Sequence, residues 1–138
     1  MSTERGAASA VEVAVLLPVL FALMELLVVA GRVQQIRSDV ILAAHQAARL
    51  ASVAQHRSQV DTLVAGVANA SLDDRGAECR SVTPLVAPGT DWRPGGRVEV
   101  SVACVVELGD LSWLGLAVGD VTLSSTRSEV IDPYRTLE

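Results

Sequence analysis

Residues 13–30 read VAVLLPVLFALMELLVVA, eighteen residues interrupted by one proline, Pro18, and one charge, Glu25. As an α-helix this stretch spans about 27 Å, at about 1.5 Å per residue, close to the hydrocarbon thickness of a bilayer. A lone span must satisfy its own backbone hydrogen bonds in lipid, and only a helix does so. The stretch therefore predicts a membrane helix. The chain then divides into a polar leader over 1–10, a membrane helix over 11–31, a protruding helical region over 32–74 and a small sheet domain over 75–138.

The short N-terminus, MSTERGAASA, carries its small residues before the apolar run, whereas a cleaved secretory signal places them after it. This leaves two readings. One is an uncleaved signal anchor. The other is a prepilin-type signal, whose leader ends at Gly6 and whose helix stays with the processed chain. Two acids mark the run. Glu12 is either a hydrated residue at the cytoplasmic lip or a charge paired across helices. Glu25 is either near the outer interface, snorkelling or protonated, or likewise paired, because a charge at depth costs a few kcal/mol. Pro18 lacks an N–H and predicts a kink or local unwinding. Arg5 on one side and Arg32 and Arg37 on the other leave the positive-inside rule undecided. The cysteines and the short N-terminus favour a cytoplasmic N-terminus and an exported C-terminal part.

Beyond Gly31, Val33, Ile36, Val40, Ala44, Ala47, Ala51 and Ala54 recur at spacings of three and four, one face of a continuing helix. Ser58-x-x-Asp61 reads as a capping box for a second helix, or a kinked continuation, running to about Leu72 and ended by Asp73, Asp74 and Gly76. After Gly76 the period falls to two. Strands are expected over 77–86, 97–108 and 120–130, with a Pro/Gly loop over 88–96. A further loop over 109–119 has an apolar middle in which Trp113 caps the core. The fold class is α+β: a long N-terminal helix, transmembrane then protruding, followed by a small antiparallel sheet packed on it. Cys79 and Cys104 lie on neighbouring strands. They are either a bridge, which would add about 3 kcal/mol by closing its loop, or two buried thiols.

Net charge is −5, there is no lysine, and the eleven arginines are scattered among only four aromatic residues. This excludes an evident nucleic-acid surface. No nucleophile elbow, phosphate loop, zinc-protease helix or dinucleotide fingerprint is present, so the sequence suggests no catalytic site, cofactor or small-molecule substrate. His45 and His56 are eleven apart on a helix and read as solvated residues rather than metal ligands. Asn69-Ala70-Ser71 matches the glycosylation pattern at a helix end, a match common by chance.

Residues 5–32 resemble the N-terminal signature of TadE-like proteins, pilin-like components of tight-adherence (Flp-type) pilus systems. The resemblance lies in Arg5-Gly6 with Ala7 and Ala8, the Val11-Glu12 pair, the Leu16-Leu17-Pro18 step and Glu25 before Gly31-Arg32, followed by Ala43, Ala44, Ala47, Ala48 and Arg49. It implies a membrane-inserted minor pilin or pseudopilin and a pilin-like fold. Its partners would be membrane lipid, other minor pilins and the pilus assembly machinery, with processing by a prepilin peptidase. A cut after Gly6 makes Glu12 the sixth processed residue, one beyond the usual place in type IV-like pilins; a cut after Ala7 restores it. The runner-up is a single-pass anchored binding or sensory module unrelated to pili.

Overall fold

The structure, a computed structural model, describes residues 4–107, 110–111, 116–117 and 119–134, with side-chain burial given for 11–107 and 119–134. Helix α1 runs Glu4–Val53 and contains Pro18 without interruption. One proline removes a single donor and one i→i−4 bond, and the turns on either side hold the helix together. A 3-10 turn, Arg57–Gln59, leads into α2, Val60–Asp74. Strands β1 (Ser81–Val86), β2 (Arg97–Val106), β3 (Asp110–Leu111), β4 (Leu116–Ala117) and β5 (Val121–Val130) follow. The fold divides into an N-terminal helical unit ending at Gln34 and a compact unit from Gln35.

In the compact unit β1, β2 and β5 form one antiparallel sheet in the order β1-β2-β5, and β3 and β4 pair in a second, two-stranded one. Alternation along β2 places Val98, Val100, Val102, Cys104 and Val106 in the core. Helical spacing brings Ile36, Val40, Ala43, Ala44, Ala47, Ala48 and Ala51 of α1 into the same cluster, with Val60, Val64, Ala68 and Leu72 of α2. The expected stripe is thus present but broader. Ala43 and Ala48 are buried beside it, while Val33 is only half-buried. Small side chains let helix and sheet approach closely and leave little apolar area per residue to stabilise the unit.

The boundaries differ from the sequence reading where local hydrogen bonds intervene. Ser58 caps nothing: it lies inside the 3-10 turn, and Gln59 stands at the N-cap without a side-chain bond. At the other end α2 closes as expected. The Ala77 N–H donates to the Leu72 carbonyl and the Gly76 N–H to the Asp73 carbonyl, with Gly76 at φ +65. This Schellman arrangement requires a left-handed residue, which glycine supplies. It occupies residues 76–77, and Cys79 N–H then turns back to the Ala77 carbonyl, so β1 starts at Ser81 rather than at 77. The second strand stops at Val106 and the third starts at Val121. The loop expected over 109–119 carries the short β3–β4 pair; Trp113 lies outside the described residues.

Candidate functional site: the exposed apolar helix

Over residues 11–34 the N-terminal helix buries almost nothing. Between Val11 and Val28 the large apolar side chains stand exposed, including Phe21 at 60%, Met24 at 66% and Leu27 at 72%. A soluble domain does not leave such a run uncovered, because a contiguous apolar patch of this size marks an interaction with lipid or protein. α1 is the one helix among the described residues long and apolar enough to cross a membrane. Length and composition are what establish this.

Helix geometry places Glu12 and Glu25 thirteen residues apart, about 20 Å along the axis and about 140° around it. They therefore look toward different neighbours. Both are exposed, and neither has an ion pair or hydrogen bond among the described residues. Gly6 and Ala7 fall within the first turns of α1, so the backbone is helical from Glu4 through the expected leader. Pro18 lies between the two acids on the same uninterrupted helix.

The compact unit is held at its seams by polar contacts. His45 Nδ1 of α1 is 3.1 Å from Glu129 Oε1 of β5, and Arg75 reaches Asp39 at 3.8 Å. Arg80 donates to Asp120 at 3.0 Å. The sequence reading made His45 merely solvated; its cross-element partner is a tertiary fact with no local signal. Sγ atoms of Cys79 and Cys104 stand 2.02 Å apart, with Cα atoms 5.5 Å apart, which is disulfide distance. Cys79 sits just ahead of β1, so the link joins the α2–β1 connection to the central strand. An open groove of about 380 Å³ lined by Glu78, Arg80 and Glu107 lies over Cys79.

A second, smaller cleft of about 160 Å³ lies between Arg57, Asp61, Pro88 and Trp92. Arg57 lies 5.5 Å from the Trp92 ring centre, a cation–π contact. The loop carrying Trp92 is braced by Thr90, whose hydroxyl donates to the Ala87 carbonyl, and by a two-point contact of Arg93 with Asp91. Those hydrogen bonds from Arg93 hold the Asp91 carboxyl below its ordinary value and raise the guanidinium in turn. The glycosylation match is unfavourable in place: Asn69 donates within α2 to the Ala65 carbonyl, and Ser71 is buried. No group of three or more potential metal ligands occurs among the described residues.

A family model described as TadE-like protein matches residues 7–49. The N-terminal segment is TadE-like. The matched span takes in the exposed apolar run, both acids and Pro18, and continues to Arg49 across the division at Gln34. TadE-like proteins are a family of pilus structural and assembly components, so the match points to association with a tight-adherence pilus. No curated protein and no solved structure matches the chain.

Proposed function

We propose that this TadE-like protein is a minor pilin or pseudopilin: a structural and assembly component of a tight-adherence pilus, held in the cell membrane by residues 11–31. The observation that carries the reading is the bare apolar run of α1 inside the TadE-like match. The N-terminus is cytoplasmic, the region 32–74 protrudes and the sheet domain from 75 onward is extracytoplasmic. The Cys79–Cys104 pair supports export, since such bridges persist in oxidising compartments.

The physical mechanism is an exchange of contacts. An apolar helix stores the subunit in lipid, where it gains nothing hydrophobically by meeting another helix, because lipid tails are equally apolar. Packing and polar contacts must then drive assembly. Glu12 supplies one: a carboxylate at the lip, available to a neighbour's amine or arginine. Glu25, on a different side of the helix, supplies a second direction of contact. A prepilin peptidase acting after Gly6 or Ala7 would expose a new amine for a neighbour's Glu12 to pair with.

Substitution tests this. Glu12→Ala should leave the protein in the membrane fraction at wild-type level and reduce surface pili several-fold. Unchanged pilus number would remove Glu12 from assembly. N-terminal sequencing of membrane-extracted protein tests the processing step separately: a chain still beginning near Ser2 would rule it out.

A further inference from the structure

The apolar run of α1 gathers two polar features on one side. Pro18 and Glu25 are seven residues apart, about 10 Å along the axis and about 20° around it. Pro18 has no N–H, so the Ala14 carbonyl, one turn before it on the same side, has no i→i−4 donor. Glu25 is exposed, with neither ion pair nor hydrogen bond among the described residues. This side of the helix therefore presents two acceptors, a backbone carbonyl and a carboxylate. Ala14 and Ala22, each within about 40° of Pro18 around the axis, let a neighbouring backbone approach between them. In water both acceptors would be hydrated. In a membrane span over 11–31 they lie in lipid, Glu25 about 9 Å inside the end at Gly31. There an unmet carbonyl or charge is costly, and neighbouring helices normally meet it.

We propose that this side of α1 docks a transmembrane helix of a different chain, one that carries an arginine or lysine at the depth of Glu25 and a hydrogen-bond donor near Pro18. Charge and the supply of donors select the occupant. Apart from Glu12 and Glu25, residues 11–31 contain no polar side chain, so a second copy brings acceptors and no basic group. Two copies crossing one membrane in the same direction set Glu25 against Glu25, and like charges at one depth repel. A proton shared between those carboxylates would still leave both Ala14 carbonyls unmet. A basic residue meets Glu25 directly and is itself costly in lipid, so each charge holds the other in the membrane. An arginine fork also matches a carboxylate at two points. Glu12 lies about 120° around the axis from Pro18 and looks toward another neighbour. This pairing rests on the membrane placement of residues 11–31 in the proposed function and does not depend on the pilus.

The test places the full chain in phosphatidylcholine vesicles with peptides of about twenty leucines, long enough to span. The chain has no lysine, so an amine-reactive dye labels its N-terminus. One peptide carries a serine and an arginine seven residues apart; a second has leucine, and a third glutamate, in place of the arginine. By energy transfer the arginine peptide should bind at least about tenfold more tightly than the other two. Glu25→Gln should abolish that preference. Pro18→Leu, which restores the helical N–H, should weaken it about threefold, the size of one interhelical hydrogen bond in lipid. Leu27→Ala, on the opposite side of the helix, should leave it unchanged. In the source membranes, a photo-cross-linking residue at position 22 should join the chain to a span that contains a basic residue, read by sequencing the adduct. Equal binding of the arginine and leucine peptides overturns the proposal. So does an adduct of two copies, or one whose span holds no basic residue. A chain that fails to enter the vesicles overturns the membrane placement as well, whereas one that inserts and shows no preference overturns the pairing alone.

Discussion

Single residues in this fold are constrained by backbone and hydrogen-bond demands more than by volume. The Ser71 hydroxyl is the one buried side-chain oxygen among the described residues with no hydrogen-bond partner. An unmet buried hydroxyl costs about 1–3 kcal/mol, and alanine is the better helix former. Ser71→Ala should therefore stabilise the protein by about 1 kcal/mol, read as a higher denaturant midpoint with unchanged slope; a lower midpoint would mean the hydroxyl has a partner. Gly96 is the opposite case. A Cβ there would run into the backbone carbonyls of Asp91 and Arg93, the latter at 2.9 Å, and backbone cannot swing aside as a side chain does. Gly96→Ala should cost about 1–3 kcal/mol in the same measurement, with the Trp92 fluorescence changed because that loop carries it. Neither constraint is visible in a sequence. Ser71 reads as the last residue of a glycosylation pattern and Gly96 as one glycine of a loop, and only the tertiary neighbours separate the two.

At the scale of elements the compact unit depends on a light core closed by a staple. Its buried side chains are mostly valine and alanine, so most contribute little, and the Cys79–Cys104 link joins the end of the helical layer to the middle strand. Closing a loop of 25 residues is worth about 3 kcal/mol in the chain-entropy account. Replacing both residues, Cys79→Ser with Cys104→Ala, should cost about that much and more, because Cys104 is fully buried among valines. Equal midpoints with and without reductant, or two titratable thiols per denatured, unreduced chain, would remove the bridge from the account. The alternation of Val98 to Val106 and the three- and four-residue spacing from Ile36 to Ala51 made the main elements legible, because burial on one face writes a period into the chain. The start of the first strand was not legible, whereas the second was read to start at 97, where β2 begins. Residues 77–80 alternate apolar and polar as a strand does, but 77–79 are taken up by the turns that follow α2, and hydrogen bonds of that kind leave no periodic trace. The His45–Glu129 contact was hidden for a similar reason: its partners are far apart in sequence and meet only when α1 lies on β5.

For the molecule as a whole, the division at Gln34 separates two kinds of solubility. From Gln35 onward the described residues gather most of their apolar side chains into one core, leaving a few such as Val53, Leu85 and Val130 exposed, and carry the cysteine link. Before it, the apolar residues of α1 face outward along the whole run from Val11 to Val28. Burying such a side chain is worth about 1.5–3 kcal/mol, so a dozen of them left in water would drive the chain into lipid, detergent or aggregates. The full chain should therefore appear in the membrane fraction, resist extraction by high salt or alkaline carbonate, and require detergent to remain in solution. A chain beginning at Gln35 should be soluble without detergent and keep the cooperative unfolding of the parent. The two acids do not rescue the run, since Glu12 lies at its rim and one carboxylate at Glu25 cannot hydrate the apolar residues around it. Full-length protein recovered in the soluble fraction at wild-type abundance would contradict the membrane reading directly. It would leave the compact unit, whose buried core among the described residues starts at Ile36, as it stands.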